Sequence, residues 1–247
     1  MQEPYIGAVQ IELVILVKLI IAHLLGDFFL QPYKWVKDKQ TRKIRSPWLL
    51  AHVGTHAVLM SVLLWDLDQM PMILAITIIH YGVDILKVYA QRPTKQTFWF
   101  FLDQALHFIT LFVCWYLFTE ADMPELVDLG TAELIFLTGA IFLTAPVGLS
   151  LKVFLSRWSL ELEDNNSLEK AGSYIGILER LLVYVFVLSG HWEAIGFLIA
   201  AKSVFRFSDL KDAQNRRLTE YILIGTLLSF GLAILTGMFV TILSKGL

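Results

Sequence analysis

Runs of about 20 apolar residues, each long enough to cross a bilayer as a helix, alternate along this chain with short polar connections. Eight such segments are predicted, at residues 10–31, 47–65, 70–90, 98–119, 131–151, 173–190, 192–207 and 220–243. The polar residues inside them follow a rule. Each of the first four segments carries one pair at i, i+4 spacing: His23/Asp27, His52/His56, His80/Asp84 and Asp103/His107. That spacing places both members on one helix face. Five of the six histidines are consumed by the pattern, so it organises the chain.

Composition agrees with the segment pattern. The 247 residues are 56% hydrophobic and 17% charged, against about a quarter charged in soluble domains. The single Cys114 excludes a disulfide framework and a cysteine-based zinc motif. Residues Met1–Glu12 contain acids but no Lys or Arg, and no A-x-A site follows the first run. That run therefore reads as a membrane helix rather than a signal peptide. The expected fold is all-α, a polytopic transmembrane helical bundle of about eight segments. It is read as one domain, 1–247, with a His/Asp-bearing half (1–119) and a Lys/Arg/Glu-bearing half (131–247).

Charge in the connections sets the expected topology. Pro32–Pro47 holds Lys34, Lys37, Lys39, Arg42, Lys43 and Arg45, and bases recur at Lys87, Arg92 and Lys95, at Lys152 and Arg157, and at Lys211, Arg216 and Arg217. The intervening connections, Asp66–Met70, Glu120–Asp128 and Ser189–His191, have none. Basic connections stay in the cytoplasm, so both termini are expected outside it. All four pairs then fall at one depth, roughly 5–15 Å inside the cytoplasmic boundary at 1.5 Å per residue. Two stretches strain the count. Segment 192–207 is short and contains Lys202 and Arg206, as a re-entrant or tilted helix would, and residues 152–163 read as an amphipathic surface helix.

Ionisable groups at membrane depth cost about 2.5–3.5 kcal/mol each, so they must face inward and find partners. A metal centre meets that need. Imidazole and carboxylate are ligands of zinc, manganese and iron, and eight candidates suffice for one or two ions. A metal-free network of His–Asp hydrogen bonds and a proton or ion relay meet it too. In the second half, Glu179, Arg180, Lys202 and Arg206 read either as snorkelling and paired charges or as a cationic pocket for an anionic group such as phosphate. The basic connections are explained by topology and call for no nucleic acid. There is no P-loop, G-x-G-x-x-G, G-x-S-x-G or H-E-x-x-H.

The opening H-L-L-G-D-F-F-L-Q (His23–Gln31), followed by H-x-x-x-H at His52/His56, resembles a family of bacterial integral membrane proteins known only as a domain of unknown function. Ile175–Arg180, Ala194–Phe207 and Tyr221–Leu228 are similar to its longer members. The resemblance implies a bacterial inner membrane and supplies no activity. A looser similarity of arrangement links the chain to membrane-bound metal-dependent hydrolases.

Together these readings lead to a cytoplasm-facing metal site of His23, Asp27, His52, His56, His80, Asp84, Asp103 and His107. Glu179 is the expected proton acceptor, and Arg180, Lys202 and Arg206 are expected to hold an anionic or lipid substrate of a hydrolase. The alternatives are an ion- or proton-coupled transporter or channel using the same residues, and a membrane scaffold or sensor.

Overall fold

A computed structural model describes residues 3–119, 129–156, 169–204 and 213–245. Arg206, Lys211 and the connections at 120–128 and 157–168 lie outside the described residues. Every described element is helical: α1 (Glu3–Phe28), α2 (Tyr33–Arg42), α3 (Pro47–Leu64), α4 (Met70–Ala90), α5 (Gln96–Thr119), α6 (Leu129–Phe142), α7 (Ala145–Leu155), α8 (Glu169–Ser189), α9 (Trp192–Val204) and α10 (Ala213–Lys245), with short 3-10 turns between some of them.

The long apolar helices mark a multi-pass membrane protein. Among the described residues six spans are long and apolar enough to cross. A seventh results if Leu13–Phe28 and Tyr33–Arg45, bent by 80° from one another, count as one. The expected eight are not confirmed among the described residues. Where 192–207 was expected to cross, α9 has 13 residues, about 20 Å of helix at 1.5 Å per residue, against a hydrocarbon core of about 30 Å. The 131–151 segment is also not one helix. It breaks at Leu143–Thr144, with Pro146 in the first turn of α7, where a missing N–H costs nothing.

The chain divides into two compact units, residues 1–138 and 139–245. In the first, α1 packs on α3, α3 on α4, α4 on α5, and α5 returns to α1, closing a ring of four helices. The inward stripe of each helix changes character part-way along. In α1 it runs Ile15, Leu19, Ala22, then His23 and Asp27; in α3 it runs His52, His56, then Met60 and Leu64. In α4, Met72, Ile73 and Ile76 precede His80 and Asp84, and in α5, Asp103 and His107 precede Leu111, Cys114 and Trp115. Because neighbours run antiparallel, the apolar parts meet at one end of the bundle and the ionisable parts at the other. Outward positions such as Val58, Val62, Leu74, Ile78, Ile109 and Phe112 are exposed and apolar, as lipid-facing positions are.

Helix α2 leaves the bundle direction at Phe29–Pro32 and packs on α3. Trp35 stacks on Trp48 at 5.2 Å, Ser46 Oγ donates to Asp38 at 2.5 Å, and Lys43 Nζ donates to the Val88 carbonyl at 2.5 Å. These contacts hold a mostly polar helix across the ionisable end of the ring.

In the second unit α10 packs on α8 and α7, and α8 also meets α7 and α9. Gly237 permits one close approach: a Cβ there would lie 2.7 Å from Val187 Cγ1. Arg180 is buried at the α6–α7 break. Its Nε donates to the Leu143 carbonyl at 2.5 Å, one terminal nitrogen to the Thr144 carbonyl at 3.1 Å, and the other to Ser229 Oγ at 3.3 Å. The guanidinium thus serves the Leu143 carbonyl at the interruption and adds a second bond to the Thr144 carbonyl, which also accepts from the Gly148 N–H at 3.0 Å.

Candidate metal centre

Eight side chains converge from four helices, as their shared depth required. Asp27 is the hub. Its Oδ1 lies 3.1 Å from His56 Nε2 and 3.3 Å from His52 Nε2, and its Oδ2 accepts a 2.7 Å hydrogen bond from Gln104. His80 Nε2 is 3.3 Å from His52 Nε2. Three overlapping groups have ligand atoms all within 4.8 Å of one another: Asp27/His52/His56/His80, His80/Asp84/His107 and Asp27/Asp103/His107. The His/Asp arrangement could therefore hold a metal ion. Seven of the eight expected ligands belong to these groups. His23 belongs to none. Its Nε2 lies 3.3 Å from Gln104 Oε1 and 3.8 Å from Asp27 Oδ2, so it braces the amide that braces Asp27.

His107 is the informative member. It is 2% exposed, and among the described residues neither ring nitrogen has a hydrogen-bond partner; Asp103 Oδ1 is likewise buried without one. His107 Nε2 stands 3.6 Å from Asp103 Oδ1 and 3.9 Å from Asp84 Oδ1. Those separations exceed a hydrogen bond. They are close to the separation of two ligands on one ion: donors at about 2.1 Å in tetrahedral geometry lie about 3.4 Å apart.

The H-L-L-G-D-F-F-L-Q motif becomes legible here. His23, Asp27 and Gln31 all face the cluster, the Gln31 amide nitrogen lying 2.9 Å from both His52 ring nitrogens. Gly26 is the fourth element. A Cβ there would collide with three atoms of the His56 imidazole, so only glycine lets that ring lie against α1.

Four participants escaped the sequence reading. Lys39 of α2 is buried, and its Nζ lies 3.0 Å from Asp84 Oδ2. Lys87 Nζ lies 2.6 Å from Asp103 Oδ2. Gln104 and Gln31 are the others. Lys87 and Gln31 were within reach, since they stand i+3 from Asp84 and i+4 from Asp27 on the same faces. Gln104 was visible as an amide inside an apolar run. Lys39 had no such signal, because its position depends on the turn before α2.

The expected residues of the second half sit in the second unit. Glu179 is paired with Lys202 at 2.5 Å, and Arg180 makes the three bonds described above.

Residues 15–129 match the family described as Protein of unknown function (DUF3307). The DUF3307 match takes in the cluster-bearing parts of α1 to α5, including all eight His/Asp residues, and covers just under half of the chain. Ile175–Arg180, Ala194–Phe207 and Tyr221–Leu228 lie outside the matched residues. No curated protein and no solved structure matches the chain.

Proposed function

We propose that this protein is a metal-dependent hydrolase of the bacterial inner membrane, with its His/Asp centre opening to the cytoplasm. One observation carries the reading. Both ring nitrogens of His107 and Asp103 Oδ1 are buried without hydrogen-bond partners among the described residues. An assembly kept only for packing would satisfy such atoms, because each one left bare costs about 1–3 kcal/mol. The cytoplasmic orientation rests on the basic residues of Pro32–Pro47, which adjoin the cluster.

Asp27, His52, His56 and His80 would hold one ion, and His107 could hold a second either with His80 and Asp84 or with Asp27 and Asp103. Asp27 belongs to both the first and the third group. A bound ion supplies a water acidified to near neutral pKa and polarises the scissile bond. Gln104 and His23 keep the Asp27 carboxylate aimed, and Gln31 does the same for His52.

A transporter is the second reading, favoured by the broken span at Leu143–Thr144, since broken helices recur in transporters. Against it, the far end of the four-helix ring is closed by Leu19, Met60, Leu64, Met72 and Trp115, all buried and apolar. An ion reaching the cluster from one side has no polar route onward through that layer.

The test is elemental analysis of protein purified without chelator, followed by hydrolysis assays on a panel of ester and phosphoester lipids. One or two equivalents of zinc, manganese or iron, with turnover abolished in His80→Ala, support the proposal. Protein that takes up none of these metals and gains no thermal stability from them would sink it.

A further inference from the structure

We infer that Lys39 and Lys87 form an anion site beside the metal centre, and that its ligand is a phosphate-bearing group. The inference rests on the metal reading above and adds the substrate class.

The geometry divides each carboxylate between two tasks. Asp84 turns Oδ2 to Lys39 at 3.0 Å and Oδ1 toward His107 at 3.9 Å. Asp103 turns Oδ2 to Lys87 at 2.6 Å and Oδ1 toward His107 at 3.6 Å. The ammonium groups therefore sit on the sides of the carboxylates away from His107, and ions held between these oxygens and His107 leave both lysines in place.

Charge then dictates the missing component. Three carboxylates, Asp27, Asp84 and Asp103, face two ammonium groups, which leaves one negative charge with the histidines neutral. One divalent ion makes the pocket net positive, and two make it more so. A centre built only to hold metal has no use for two lysines, because they oppose the very ions it collects. They are useful when the bound state also includes an anion carrying more than one negative charge. A buried cationic excess is costly until such an anion arrives. A phosphate group supplies that charge and several acceptor oxygens, enough for two ammonium groups and the metal together. Access is from the bundle end: the Lys87 side chain is 27% exposed, whereas that of Lys39, on α2, is buried. Exposed Leu86, Tyr89, Phe98 and Phe101 occupy the same end of the ring, as suits a headgroup presented from the bilayer. Free phosphate has the same recognition chemistry.

The experiment uses full-length protein in detergent, loaded with manganese, and follows metal content and thermal stability against inorganic phosphate. Wild type, Lys39→Met, Lys87→Met and Lys39→Arg are compared. The expected result is a phosphate-dependent rise in melting temperature for wild type. Each Met variant should retain metal but need at least tenfold more phosphate, and Lys39→Arg should restore most of the response. No phosphate response in metal-loaded wild type, or an equal response in the Met variants, overturns the anion site. If wild type takes up no metal, the hydrolase reading fails by itself. The anion site then stands on a lysine-dependent phosphate response of the metal-free protein, and falls without one. A second arm compares vesicles containing phosphatidic acid with pure phosphatidylcholine. Binding that prefers phosphatidic acid and weakens in the Met variants assigns the phosphate to a lipid. No preference, with the inorganic response intact, assigns it to a soluble group.

Discussion

Two buried cationic or imidazole groups, one in each unit, are treated in opposite ways. Arg180, in the second, has Nε and both terminal nitrogens bonded, to two carbonyls and a hydroxyl. His107, in the first, has neither ring nitrogen bonded, although two carboxylates stand within 4 Å. Both residues are buried to a similar degree. The difference separates architecture from chemistry. A group whose partners are complete has finished its work on folding, whereas one held just beyond bonding distance is waiting for something to come between.

The sharpest way to break that contrast is to remove each group and measure two properties. His107→Leu, close in size and without nitrogen, is expected to lower metal occupancy and any hydrolytic rate by more than a hundredfold. Metal-free stability should hold or rise, because no hydrogen bond is lost and two buried nitrogens without partners are removed. Arg180→Leu should do the reverse. It strands the Leu143 carbonyl, at about 1–3 kcal/mol, and takes one of two bonds from the Thr144 carbonyl, lowering the unfolding midpoint while the surviving folded protein keeps its metal. If His107→Leu destabilises as much as Arg180→Leu with metal content unchanged, His107 belongs to the architecture after all.

A smaller effect is expected at Gly26. Gly26→Ala forces the His56 ring away from α1, at the roughly 1–3 kcal/mol typical of overpacking. Metal occupancy should fall with it, since His56 belongs to the four-ligand group. Unchanged occupancy would remove His56 from the ligand set. Least of all, Lys202→Gln breaks a partly exposed pair with Glu179 and should cost under about 1 kcal/mol, in thermal denaturation, with metal untouched.

How much of this was readable beforehand depends on how local each feature is. The i, i+4 pairs and their common depth follow from helix period and loop charge, both local, and they brought the eight residues to one end of the bundle. Gln104 and Lys87 are as local, but neither belongs to an i, i+4 His/Asp pair, so the repeating pattern does not single them out. The break at Leu143–Thr144 was marked by Pro146, yet hydropathy averaged over the segment hides a single interrupted turn. Lys39 differs in kind. Reaching Asp84 from α2 depends on an 80° change of direction, and no periodicity carries a face around such a bend. Segment 192–207, short for a crossing and marked by Lys202 as a re-entrant or tilted helix would be, has 13 described helical residues in α9.

The bonding of Asp27 also has a consequence for biosynthesis. Its carboxylate is reached by His56, 29 residues later in the chain, and by Gln104, 77 residues later. As the polypeptide emerges, α1 therefore enters the bilayer carrying an acid whose partners have not yet been made, at an insertion cost of about 2.5–3.5 kcal/mol. The arrival of α3 relieves part of it, and only α5 closes the ring. The first helix settles into its final place after the fifth has been translated, which makes the H-L-L-G-D stretch the earliest part of the cluster to be synthesised and among the last to be completed.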